Sequence, residues 1–322
     1  MKRILAIASV IAVFLVVSVA AFAAEYPGWA YGFESQTSGP PQPGPAPLSP
    51  DPSPKKLPGS EFTFTRAQIS NGFGPADWFP GDHPKMPPVV QYGKQPNVRA
   101  CSLCHYPNGK GRAENAGVNG LNTAYFIQQM NDFRNGMRQS AEPRKNNAKF
   151  MADFAKNMTD EEIKQAAEYF GAMKWTPWIK VIESATAPKT HVNNGLYLKA
   201  EGGGTEPLGM RIIEVPVDAE TTEILRNPRS GFEAYAPVGS VKKGEALAKA
   251  KNCALCHGDG LKGMGPVPHL AGRSPSYMTR QMYDMQMGKR IGVWVDLMKP
   301  VVANMSGEDF VNVSAYIASL QP

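Results

Sequence analysis

The four cysteines of this chain fall in two copies of one five-residue word, Cys101-Ser-Leu-Cys104-His105 and Cys253-Ala-Leu-Cys256-His257. Two thiols at this spacing could form a short disulfide, a thioredoxin-like redox pair, part of a split zinc site, or the attachment point of a c-type haem. A redox pair needs no following histidine, and a four-thiolate zinc site needs no histidine at all. Haem attachment uses every member of the word. The thiols add across the two vinyl groups of one porphyrin, and the adjacent imidazole becomes the proximal ligand of the iron. With two copies and no cysteine left over, the sequence predicts two covalently bound haem c groups with their irons. One is held by Cys101, Cys104 and His105, the other by Cys253, Cys256 and His257.

The elements around these words repeat as well. An offset of 152 positions lays Gly111 on Gly263, Gly120 on Gly272, Tyr125 on Tyr277 and Gln129 on Gln281. The same offset lays Gly136 on Gly288 and Arg138 on Arg290. Beyond that point an offset of 147 lays Met151 on Met298, Met158 on Met305 and Tyr169 on Tyr316. A repeat of this kind marks a duplicated structural module. Helical spacing puts Phe126, Met130 and Phe133 on one face in the first copy, and Met278, Met282 and Met285 in the second. Thr159 with Glu162 predicts a capping box opening the last helix; Ser306 with Asp309 is a weaker version of it. A helix over 242–251 leads into the second cysteine word, whereas Pro87, Pro88 and Pro96 interrupt its equivalent in the first. The modules therefore read as small and all-α.

Outside the modules the chain changes character. Residues 1–23 read as an export signal: Met1-Lys2-Arg3, an apolar run over 4–20, then the small-x-small site Ala21-Phe22-Ala23. The run is long enough that an uncleaved membrane anchor is the alternative. Residues 24–60 are rich in Pro, Gly and Ser and read as an extended spacer. Domain 1 is expected over 61–175 and domain 2 over 241–322. Between them, residues 176–240 hold short apolar-polar alternations, Ile179-Lys-Val-Ile and Met210-Arg-Ile-Ile-Glu-Val, split by Gly202-Gly-Gly. A stretch this long is not a structureless loop, and it predicts an insert of short strands packed over one or both modules. The formal charge of +6 is spread rather than clustered, so no nucleic-acid stripe is visible. The propionates of two haems would largely cancel it. What remains is a set of solvated faces or a diffuse field that steers an acidic redox partner.

The order of features resembles a class I cytochrome c domain: C-x-x-C-H, a Gly-rich loop, a helix opened by Gly120-x-x-x-x-Tyr125, a methionine, and a capped last helix. The tandem resembles the dihaem, two-domain cytochromes of that class over roughly half of the chain. The resemblance implies that the sixth iron ligand is a methionine on the segment before the last helix, which falls on Met151 and Met298. Thioether ligation favours ferrous iron. Met137 and Met287 are the nearest rivals among 15 methionines, most of them core filler. His83, His191 and His269 are the remaining imidazoles. The resemblance also assigns Pro268, in Pro268-His-Leu-Ala-Gly272, the carbonyl that orients His257. The first module departs from that pattern, with Ala116 in place of the proline and Asn119 in place of the alanine.

The expected function is single-electron transfer in the periplasm through two six-coordinate haems. Its partners would be a membrane quinol-oxidising complex, a periplasmic dehydrogenase or a terminal oxidase. A dihaem oxidoreductase of the peroxidase kind and a cytochrome subunit of a larger redox enzyme are the alternatives.

Overall fold

The structure is a computed structural model that describes residues 24–33 and 51–322. The expected export signal at 1–23 and the proline-rich stretch at 34–50 lie outside the described residues. Among the described residues no helix is long and apolar enough to cross a membrane.

The first module is built from the Cys101–His105 helix and three longer ones, Thr123–Arg134, Asn146–Asn157 and Asp160–Gly171. Its core joins Phe126, Met130, Met158, Ile163, Ala167 and Phe170. The prolines ahead of it leave only a four-residue helix, Pro88–Gln91, whose first residues are Pro and whose Val89 and Val90 are buried. The second module repeats the plan with Cys253–His257, Pro275–Gln286, Val295–Val302 and Gly307–Ser319. It adds an eleven-residue helix, Ser240–Ala250, in the place where the first module has the short one. Both last helices open with complete capping boxes, Thr159 with Glu162 and Ser306 with Asp309. The shorter Asp309 side chain therefore closes the second box as well as glutamate closes the first.

The chain as a whole is not all-α. The modules are helical, but nine short strands occur among the described residues, most of them in the insert. Ile179–Glu183 runs parallel to Phe232–Ala236, and Ile213–Pro216 pairs antiparallel on its other side. Two further antiparallel pairs, Thr186–Pro188 with Thr205–Pro207 and Thr190–Asn193 with Leu196–Lys199, complete the insert. Alternating burial along Phe232–Ala236 turns one face of the sheet inward. Ile212, Ala234 and Ala236 from the insert pack with Val311 and Ala315 of the last helix. Phe232, Leu196 and Leu198 meet Tyr106 and Ala113 of the first module. The insert bridges both modules.

The spacer reading fails at its start. Gly28–Tyr31 forms a buried helical turn. The Tyr31 hydroxyl donates to Asp284 at 2.6 Å, and the Ala30 carbonyl accepts from Arg280 at 2.6 Å. Three aromatic and apolar residues in a row, Trp29-Ala30-Tyr31, supply the burial that the surrounding Pro and Gly do not.

Candidate haem sites

In the first module the Cys101–His105 helix presents Cys101, Cys104 and His105 to one cleft. Burial pushes the Cys101 thiol up to about 12 and the Cys104 thiol upward too. Thiols held protonated in this way supply little thiolate, which argues against a free redox pair. Burial pulls the His105 imidazole down, so it is neutral, and its Nδ1 donates to the Ala116 carbonyl at 2.8 Å. That bond fixes the tautomer and leaves Nε2 as the free lone pair, the form a metal ligand takes. Val118, Phe126, Met130, Phe154 and Phe170 line the apolar walls. Met151, from the helix Asn146–Asn157, lines the same cleft as His105.

The cleft encloses about 1470 Å³ of non-atom space, part of it open to solvent. Its polar end crosses into the second module: Gln129 and Arg138 stand beside Tyr277, Arg280 and Gln281. Among the described residues the Arg138 and Arg290 side chains bond only to glutamines and tyrosines, not to carboxylates, and Arg290 Nε is buried without a partner. Lys145, also at the cleft, is pushed down to about 7 by burial and by Arg280. Glu114 and Asp284 line the cleft too, but its cations Arg99, Arg138, Lys145 and Arg280 outnumber them, and buried charge without enough counter-charge is costly. An apolar slot with a surplus of cations at one end fits a porphyrin with its propionates.

The second module repeats the proximal geometry. His257 is buried, pulled down by that burial, and its Nδ1 donates to the Pro268 carbonyl at 2.9 Å. The carbonyl that the family resemblance assigned to Pro268 is in place. Met298 lies half-buried on Val295–Val302, against a core containing Met278, Met305 and Phe310. Leu255 beside the thiols is 75% exposed, and Trp294 and Leu297 near Met298 are 43% and 63% exposed. Large apolar side chains left this open are the kind of surface that a porphyrin face covers.

The other imidazoles stand elsewhere. His83 pairs with Asp77 and packs edge-on to Tyr169, His191 is exposed on a strand, and His269 lies against Trp175 and Arg273. None of the three lines the cleft with His105. Met137 and Met287 are exposed.

Two features escaped the sequence reading. The positions Gln129, Arg138, Gln281 and Arg290 were visible only as repeat markers, yet they converge at the boundary between the modules. Behind the first cysteine word sits a buried charged cluster. Arg112 contacts Glu114 at 2.6 Å and Glu223 at 3.0 Å, while Arg226 of the insert donates to the Leu103 carbonyl. No local signal marks it, because the insert supplies half of its members.

The sequence profile of the cytochrome c family matches residues 90–174 and 241–321. A thiosulfate dehydrogenase electron acceptor from Stutzerimonas stutzeri is 25% identical over 72% of this chain and 83% of its own. Cytochrome c4 from Pseudomonas aeruginosa is 40% identical over 22% of this chain and 35% of its own. Among solved structures, a thiosulfate dehydrogenase from Marichromatium purpuratum matches with a TM-score of 0.45 at 22% identity. That match covers 71% of this chain but little more than a third, 38%, of the other. Cytochrome c4 from Acidithiobacillus ferrooxidans matches with a TM-score of 0.41 at 20% identity, over 68% of this chain and 98% of its own. The two profile matches fall on the two modules and together take in just over half of the chain, which therefore belongs to the cytochrome c family and binds two covalent haem c groups.

Proposed function

We propose that the protein is a periplasmic dihaem electron carrier in which His105 and Met151 would hold the iron of the first haem and His257 and Met298 that of the second. Bound haem supplies a one-electron iron couple. The chain's own residues do the rest. Cys101, Cys104, Cys253 and Cys256 fix the two groups in place, and the Ala116 and Pro268 carbonyls hold the two imidazoles with Nε2 free. Met151 and Met298 would each offer the iron a soft neutral donor and leave no position for a substrate. Phe126, Phe154 and Phe170 wall the first site with apolar surface, which limits reorganisation on electron transfer. The observation that carries this reading is the presence of His105 and Met151 in one apolar cleft.

The physiological donor in this reading is a sulfur-compound dehydrogenase, as the name of the Stutzerimonas stutzeri relative suggests. The acceptor is a membrane or periplasmic oxidase. The test is to mix the oxidised holoprotein with a thiosulfate dehydrogenase and thiosulfate and follow reduction of both haems optically. Rapid full reduction with no peroxide turnover by the protein alone supports a carrier. High-spin ferric haem at rest, with peroxide consumption, replaces it with a peroxidase-like enzyme. Purification only as a tight complex with a dehydrogenase makes the chain a subunit.

A further inference from the structure

The proximal loops of the two modules differ at one atom-scale detail. In the second, the Pro268 ring locks φ near about −65°, which narrows the loop conformations that present its carbonyl to His257. In the first, Ala116 has no ring, yet its carbonyl accepts from His105 at 2.8 Å, as short as the 2.9 Å bond in the second module. The first loop must be held by something else.

The brace comes from the second module. Arg273 Nη1 donates to the Gly117 carbonyl and Nη2 to the Asn119 carbonyl, both at 2.8 Å. Asn119 in turn donates to the Lys174 carbonyl at 3.1 Å. The loop is also pinned from beneath: a Cβ on Gly117 would meet the Trp175 ring at 2.8 Å and the Lys110 carbonyl at 2.9 Å. Arg273 is only 3% exposed and lies 4.0 Å over the Trp175 ring. Among the described residues no carboxylate pairs with it, and burial pushes it down to about 9. A guanidinium held in so unfavourable a place is there for its donors. Its other contact is His269, the residue after Pro268. One chain of contacts therefore runs from His105 through Ala116 and Gly117 to Arg273, then through His269 and Pro268 to His257. The brace is one-way, because the offset that lays Gly120 on Gly272 puts Leu121 opposite Arg273, and leucine donates nothing.

We propose that Arg273 is a positioning residue of the second module that fixes the proximal histidine of the first, so that the reduction potential of the first haem depends on the proximal loop of the second module. This inference rests on the reading of His105 as an iron ligand. A well-aligned acceptor at Nδ1 makes an imidazole more basic and favours ferric iron. Releasing the Ala116 carbonyl weakens that effect, and the potential of the first haem rises.

The test is R273K in the holoprotein, since lysine keeps the charge but cannot hold two carbonyls in a fork. Each haem's methyl NMR signals are followed through a redox titration, so that the two potentials are read separately. The expected result is a rise at the first haem with a smaller change or none at the second. Adding A116P, which copies Pro268, should bring the first potential back toward wild type. An unchanged first potential in R273K overturns the proposal, as does an equal shift at both haems that A116P does not rescue. If R273K does not fold, W175L removes the ring that supports the guanidinium, and the same rise is expected; no rise overturns the proposal. The hyperfine-shifted ring signals of a coordinated His105 in the unaltered protein report separately on the ligand reading. Their presence with an unmoved R273K potential sinks the brace alone; their absence sinks the ligand.

Discussion

Arg138 and Arg290 meet across the module boundary as an antiparallel backbone bridge, and each donates to the glutamine of the other's module. Arg138 reaches Gln281 at 2.9 Å and Arg290 reaches Gln129 at 2.8 Å. Each also bonds the tyrosine of the opposite module, Arg138 to Tyr277 at 2.9 Å and Arg290 to Tyr125 at 3.0 Å. The duplicated residues thus face one another across an approximate two-fold axis, an isologous contact inside one chain.

Two like charges side by side in a buried seam are unfavourable unless anions balance them. We expect R290Q to cut two bonds across the seam and to lower stability by roughly 2–3 kcal/mol. It should also lower both reduction potentials, because a nearby cation favours the ferrous form over the more positive ferric one. Urea titration and spectroelectrochemistry check the two effects. Unchanged potentials would place the arginines away from the haems.

The proposed methionine ligands have their own signature. Low-spin ferric haem with a thioether ligand shows a weak long-wavelength charge-transfer band. If both haems are His/Met ligated, M151A and M298A should each remove about half of its intensity, and the double variant all of it. A band that survives M151A intact assigns the first site to another ligand. Each variant should also lower the potential of its own haem, since the soft donor that favours ferrous iron is gone.

What the sequence made legible was local. The haem words, the capping boxes and the methionine faces depend on spacings of three to five residues, and each is found where its spacing puts it. The insert was legible only as short strands. Its central pairing joins Ile179–Glu183 to Phe232–Ala236, strands far apart in the chain, and no local pattern encodes a partner at that distance. Composition misled at Trp29 to Tyr31, where the Pro and Gly around a short apolar run hid its burial against Arg280 and Asp284. The roles of Arg138, Arg273 and Arg290 were invisible for the same reason: each acts on the other module.

Helix packing in the second module hangs on one glycine. A Cβ at Gly244 in Ser240–Ala250 would lie 2.0 Å from the Asn312 carbonyl oxygen and 2.7 Å from Tyr316 Cβ. Glycine inside a helix costs roughly 1 kcal/mol relative to alanine, so its presence needs a reason. The close approach to Gly307–Ser319 is that reason. G244A should destabilise the holoprotein by roughly 1–3 kcal/mol, the usual range for overpacking, despite its better helix propensity. Stabilisation by G244A in a urea titration would falsify this packing.

His83 supplies a pH dependence of definite sign. Burial pulls its imidazole down, but the bonds to Asp77 and to the Pro84 carbonyl outweigh it, and the net shift is above the ordinary 6.5. Its Nε2 lies 3.2 Å from Asp77 and its Nδ1 donates to Pro84 at 2.8 Å. With the folded pKa above the unfolded one, the folded state binds more protons in the window between them, and stability falls as pH rises through it. The contribution is complete below pH 6.5 and lost above the folded value. Partial exposure screens the pair, so we expect less than about 1 kcal/mol. Urea midpoints at about pH 5.5 and about pH 8.5 should differ less in H83Q than in the unaltered protein. The haem spectrum of H83Q should be unchanged, because His83 packs on Tyr169 outside the His105 cleft. A spectral change in H83Q would instead mark His83 as an iron ligand.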